Sequence, residues 1–156
     1  DHQRQLAYAI LQYAQDNGEM FFPDPGSSAW TQYLNVYGKS YNCPTLSSDG
    51  TQSAPEYGFN AHLFGKKLQD IPSPFQTLMT TDLKKSAMTG NFALTSTNPA
   101  DTHYFETAID PRHAHHFVYS GADGHAAMVP IESSETISQV MKRKGIVIDP
   151  ATAPKP

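Results

Sequence analysis

The chain has 156 residues, with 11 Lys and Arg against 15 Asp and Glu, a formal net charge of −4, and 38% hydrophobic and 17% charged residues. That length suits one domain, the acidic balance argues against a phosphate backbone and hence nucleic acid as partner, and no apolar run approaches the ~18 residues of a membrane helix. The single cysteine, Cys43, rules out an internal disulfide and any CxxC metal or redox pair.

From Leu6 onward, Leu6, Ala9, Ile10, Tyr13 and Ala14 recur at helical spacing, and Asn17-Gly18 supplies a left-handed stop. The spacing therefore predicts an amphipathic helix over residues 2–17. Pro23, Pro25, Gly26, Ser27 and Ser28 predict a turn, because proline removes backbone donors and glycine accepts positive φ. Residues 30–41, with Trp30, Tyr33, Leu34, Val36 and Tyr37, fit a short helix lying on the core, and residues 47–55 read as an exposed loop. Residues 75–81 are Thr-rich and apolar after Pro72 and Pro74, which predicts a buried strand. Residues 116–120 and 125–131 flank Gly121-Ala122-Asp123-Gly124. An Asp-Gly pair between apolar runs predicts a β-hairpin with a two-residue turn centred on Asp123-Gly124. Ser133 or Ser134 is placed to cap a final helix, in which Ile137, Val140 and Met141 share a face, Lys142, Arg143 and Lys144 favour the C-terminal end, and Gly145 closes it. Residues 1–149 thus read as one domain and the proline-bearing residues 150–156 as a frayed tail.

Five of the seven histidines, His103, His113, His115, His116 and His125, fall between residues 103 and 125, with Asp101, Glu106, Asp110 and Asp123 among them. Imidazole and carboxylate are metal donors, so His113, His115, Asp123 and His125 are the candidate ligands should Zn²⁺ or Ca²⁺ bind. Geometry opposes the grouping. A two-residue turn sets Ala122 opposite His125, so His125 would share a face with Val118 and Ser120, away from Phe117 and Tyr119. Ten extended steps from His113 to Asp123 would span roughly 33 Å, so the set meets only if residues 110–115 fold back. Asp123 has a second reading as a turn residue whose carboxylate bonds local amides. No G-x-S-x-G elbow and no phosphate-cradling glycine loop occurs, so no catalytic residues are assigned, and an enzyme would have to be a metal-dependent one using the residue 103–125 cluster. Cys43, beside Pro44, reads as a small buried hydrophobe. Tyr33, Tyr37, Tyr41, Tyr57, Phe59 and Phe64 serve either a core or a sugar-binding surface.

Several fragments then combine. Gln5-Leu6, Tyr13-Ala14-Gln15-Asp16-Asn17-Gly18 and Phe22-Pro23, followed by Tyr41-Asn42-Cys43-Pro44, Tyr57-Gly58-Phe59-Asn60 and Thr81-Asp82, resemble the ordered motifs of type II secretion pseudopilin-like proteins. His113, nine residues, then Asp123-Gly124-His125 resembles that family's C-terminal signature. The resemblance implies an α+β, pilin-like fold, with an N-terminal helix packed on a small antiparallel sheet of three to five strands and a short C-terminal helix. It also implies a structural role in a periplasmic or cell-surface filament that assists protein export. The partners implied are other pseudopilin subunits, through the N-terminal helix, and the inner-membrane secretion machinery, with the precursor anchored by an apolar segment ahead of Asp1. His113, Asp123 and Gly124 would then stabilise the C-terminal loop and hairpin, and no cofactor is required. The alternative is a secreted or surface-displayed binding module for carbohydrate or metal.

Overall fold

The computed structural model describes residues 2–25, 30–34, 57–84, 105–111 and 115–153. Helix α1 spans His2–Asp16 and buries Leu6, Ala7, Ile10 and Ala14. It stops where expected: Asn17 and Glu19 donate their N–H groups to Ala14 O at 3.1 and 2.8 Å, with Gly18 at φ 72° taking the left-handed position. The Asn17 amide adds a bond to Tyr13 O at 2.8 Å, satisfying a carbonyl of the last turn.

Strands β1 (Tyr57–Phe59), β2 (Leu78–Asp82), β3 (His116–Gly121) and β4 (Ala126–Pro130) form one sheet in the order β1-β2-β3-β4, each pair antiparallel. The protein is therefore α+β with a four-stranded antiparallel sheet. One face carries α1 together with Phe21, Phe22, Trp30, Phe59 and Met79. The other carries Phe117, Tyr119 and Val129 against helix α3 (Ile137–Lys144), followed by Ile146 and Ile148. Two-sided coverage explains why all five residues of β2 are buried, since a strand in the middle of three layers has no solvent face. A register shift between Leu78 and Thr80 inserts Met79 as an extra residue, so that Leu78 packs on the α3 side and Met79 on the α1 side.

Four local expectations change. The strand expected from Phe75 begins at Leu78, because Pro74 opens a 3-10 turn over Pro74–Gln76 and leaves Phe75 64% exposed. Thr136, not Ser133 or Ser134, caps α3: its Oγ1 accepts from Gln139 N at 3.1 Å while Gln139 Oε1 accepts from Thr136 N at 2.8 Å. This reciprocal box satisfies two otherwise orphaned donors, which a lone serine farther upstream would not reach. Trp30–Leu34 is a 3-10 helix with Trp30 and Leu34 buried, and residues 35–41 and 47–55 lie outside the described residues, as does Cys43. Pro150–Thr152, within the segment expected to fray, forms a 3-10 turn capped by Asp149, whose carboxylate accepts from Ala151 N at 3.0 Å. Strand β1 and the single-turn helix α2 (Phe105–Ala108) were not foreseen. Among the described residues, no helix is long and apolar enough to cross a membrane.

Candidate functional site

The β3–β4 hairpin forms as predicted, but its turn is longer by one residue. Ser120 pairs with Ala126, and Gly121 N donates to His125 O at 2.9 Å, so the connection is Ala122-Asp123-Gly124 and Gly121, not Ala122, stands opposite His125. Gly124 N donates to Gly121 O at 2.9 Å and Gly124 has φ 93°, the pattern of a turn closed by a glycine in the left-handed region. Because side chains alternate faces, a one-residue change reverses every assignment beyond it. His125 therefore lies on the face of Phe117 and Tyr119, opposite to the expectation from a two-residue turn.

That reversal assembles a small polar cluster. Asp123 Oδ1 lies 2.5 Å from His125 Nδ1 and accepts the His125 backbone N–H at 3.2 Å. His125 Nε2 is 3.4 Å from the Tyr119 hydroxyl, a diagonal neighbour across the strand pair. The imidazole thus lies between the buried phenol and the turn carboxylate, touching one through each ring nitrogen. Tyr119 is 5% exposed, and burial, then the negative charge of Asp123, push its phenol above the ordinary tyrosine range. The exposed Phe75 ring stacks on the imidazole at 4.3 Å between centroids. Gly121 is required for space rather than for φ: a Cβ there would collide with the His125 ring. Gly124 has both reasons, since its Cβ would lie 2.6 Å from Leu11 Cδ1 on α1. The tip thus locks the hairpin and sets the distance between hairpin and helix.

Of the four proposed metal ligands, the three among the described residues do not converge. Asp123 and His125 sit at the tip, whereas His115 precedes β3 at the far end and is exposed, roughly 20 Å away along a strand rising about 3.3 Å per residue. His113 lies outside the described residues. Among the described residues, no three His, Cys, Asp or Glu side chains converge as a metal site. Of the aromatics weighed for a sugar surface, Tyr57 and Phe59 are buried, Tyr33 and Phe64 pack on the same cluster, and Tyr37 and Tyr41 are outside the described residues.

A second polar constellation fastens the first turn of α1. Thr80 Oγ1 donates to Gln3 Oε1 at 2.6 Å, Gln3 Nε2 donates to Asp82 Oδ1 at 3.0 Å, and Ser120 Oγ accepts from Thr80 N at 3.2 Å, all buried. Gln3 meets Thr80 and Asp82 while Leu11 meets Gly124, so α1 runs antiparallel to β2 and is pinned at both ends of the sheet. Thr80, Asp82 and Ser120 fall in or beside segments singled out in the sequence, but Gln3 was not foreseen as their partner. A polar residue three places before Leu6 on the apolar face of the helix was the available signal. Along its outer flank, α1 borders an open cleft of about 320 Å³ lined by Tyr8, Leu11, Gln12 and Leu68. No family model, curated protein or solved structure matches the chain.

Proposed function

We propose that the chain is the globular domain of a pseudopilin-like subunit, with a pilin-like arrangement of helix and sheet, serving as a structural component of a type II secretion or type IV pilus-like filament. The supporting observation is the two-faced character of α1. Its inner face is fixed to an antiparallel sheet by apolar packing and by the Gln3–Thr80–Asp82 seam, while its outer face is exposed at Gln5, Tyr8, Gln12 and Gln15. That outer face exposes Arg4 and Asp16 at its two ends, carries no charge between them from Gln5 to Gln15, and leaves Tyr8 61% exposed. A long-lived solvent face of a helix ordinarily carries charge. A stripe of Gln around one Tyr suits packing against a neighbouring helix, with amide and phenol groups able to bond across it.

Function on this reading comes from assembly and involves no catalysis. The hairpin-tip cluster is structural: Asp123 and Gly124 shape the turn, and Gly124 admits Leu11 of α1. The test uses the full-length gene in its own cells. Tyr8→Asp, which changes an exposed side chain, should abolish recovery of the protein in sheared surface filaments at unchanged cellular level. Equal, monomeric recovery of wild type and variant in the soluble fraction would refute the reading.

A further inference from the structure

Among the described residues strand β4 is an edge of the sheet, and its backbone polarity can be assigned. Gly121 N donates to His125 O and Ile131 N donates to His115 O, so the odd-numbered residues of β4 turn their polar groups toward β3. The N–H and C=O of Ala126 and Met128 consequently point outward. Among the described residues no group outside β3 bonds to either. The open stretch is bounded at both ends. Pro130 has no N–H, and its carbonyl accepts from Arg143 Nη2 at 2.9 Å. Gly124 has already given its N–H to Gly121 O.

Natural sheet edges are guarded by charge, by inward-turned polar groups or by cover. No charged side chain occurs from Ala126 to Pro130, and Met128 is 58% exposed. We infer that this edge is a self-association surface, in which β4 pairs antiparallel with β4 of a second copy about a twofold axis at Ala127. The register follows from the donors. Placing Ala126 opposite the partner's Met128 lets each such pair exchange both of its main-chain hydrogen bonds and requires nothing of Pro130. Centring the axis on Met128 would set Ala126 against the partner's Pro130, which cannot donate, and leave the Ala126 carbonyl unpaired. The chosen register ends where Gly124 meets the partner's Pro130, neither with a free donor.

The side chains agree with this pairing. Met128 lies beside the partner's Ala126 on one face, so the exposed thioether is covered, and Ala127 meets the partner's Ala127 as a close, non-hydrogen-bonded pair on the other. Arg143, held at Pro130 by Glu135 through Nε at 2.7 Å and with Glu132 3.9 Å from its Nη1, is already paired within its own copy, so the fit between copies rests on the main-chain donors and on the cover of Met128. A twofold axis perpendicular to the sheet keeps both α1 helices on the same side. The proposal goes beyond the filament reading and does not depend on it.

Sedimentation velocity on the intact chain at increasing concentration, up to roughly 1 mM where weak contacts populate, should show a monomer–dimer equilibrium. Met128→Pro removes one outward donor without touching the β3 ladder, and should lower the association constant at least tenfold with an unchanged circular dichroism spectrum. Should that variant misfold, Ala127→Cys provides the second arm. Mild oxidation should link two copies through that residue, since the close pair lies within disulfide reach, while the parent chain, which retains Cys43, should not form the same cross-link. A wild type that stays monomeric throughout, a dimer indifferent to a folded Met128→Pro, or an Ala127→Cys protein that gives no cross-link beyond the parent's would each overturn the proposal.

Discussion

Replacing Gly124 with alanine tests the account of the hairpin tip quantitatively. Two costs are separable. Gly124 has φ 93°, and an L-residue in the left-handed half of the map costs about 1–2 kcal/mol. The new Cβ would also lie 2.6 Å from Leu11 Cδ1, and overpacking costs typically about 1–3 kcal/mol. The contacted atom is the end of a half-buried leucine that can rotate aside, which puts the steric share near the bottom of that range. The sum is about 2–3 kcal/mol, or a loss of roughly 5–10 °C in melting temperature for a chain of this size. Urea unfolding of Gly124→Ala, Leu11→Ala and the double variant measures both shares. The double variant should be less destabilised than the sum of the singles by about 1 kcal/mol, because removing Leu11 relieves the clash and leaves the backbone cost. A Gly124→Ala variant within about 0.5 kcal/mol of wild type, or strict additivity in the cycle, would refute the claim that the glycine sets the hairpin against α1.

Thr136→Ala removes one half of the α3 capping box and should cost about 1 kcal/mol in urea unfolding, with Thr136→Ser close to wild type. Glu135 is held below the ordinary carboxylate range, first by its hydrogen bond from Arg143 and then by the Glu132 backbone. A depressed carboxyl stabilises the folded state above its unfolded value and loses that contribution as pH falls through the folded one. Arg143→Gln should therefore flatten the acid limb of melting temperature against pH, and high salt should weaken the same limb in wild type. Tyr119 behaves in the opposite sense. Its phenol is raised by burial and by Asp123, so its contribution is complete below the ordinary tyrosine value and is lost as pH rises beyond it. Tyr119→Phe should blunt alkaline destabilisation, as followed by phenolate absorbance and by unfolding at each pH.

The sequence carried the long-range plan of the fold well where a pattern extends over several turns. Leu6, Ile10 and Ala14 recur over the whole of α1, so its existence and its Asn17-Gly18 stop were legible from periodicity and stop chemistry alone. The hairpin was equally visible from Asp123-Gly124 between two apolar runs. What failed was the count of turn residues. Two- and three-residue loops both accept Asp-Gly, and the choice is made by the left-handed Gly124 seated over Leu11, a tertiary contact. That single residue decided the face of His125 and hence whether it met Tyr119, so the tip cluster could not be read from local spacing. Strand β1 has three residues, too few for alternation to register. The buried Gln3 was obscured because a glutamine on an apolar helix face is ordinarily read as a boundary, and its partners Thr80 and Asp82 are 77 and 79 positions away. The separation of the clustered histidines was legible beforehand from strand rise alone. Closeness in sequence along a strand is distance in space, and His115 lies ahead of β3 while His125 lies beyond the turn at its other end.

The proposed filament function, under which α1 would be the sheet-packed half of a longer helix, is tested most directly by determining the precursor sequence that leads into Asp1, from the gene and from the mature protein purified from its own cells. The account predicts a short basic leader followed by about 20 apolar residues with an acidic residue near their start, continuous in helical phase with the Leu6, Ile10 and Ala14 stripe. A cleavable secretory signal ending at Asp1, or an unrelated folded domain joined there, would contradict it.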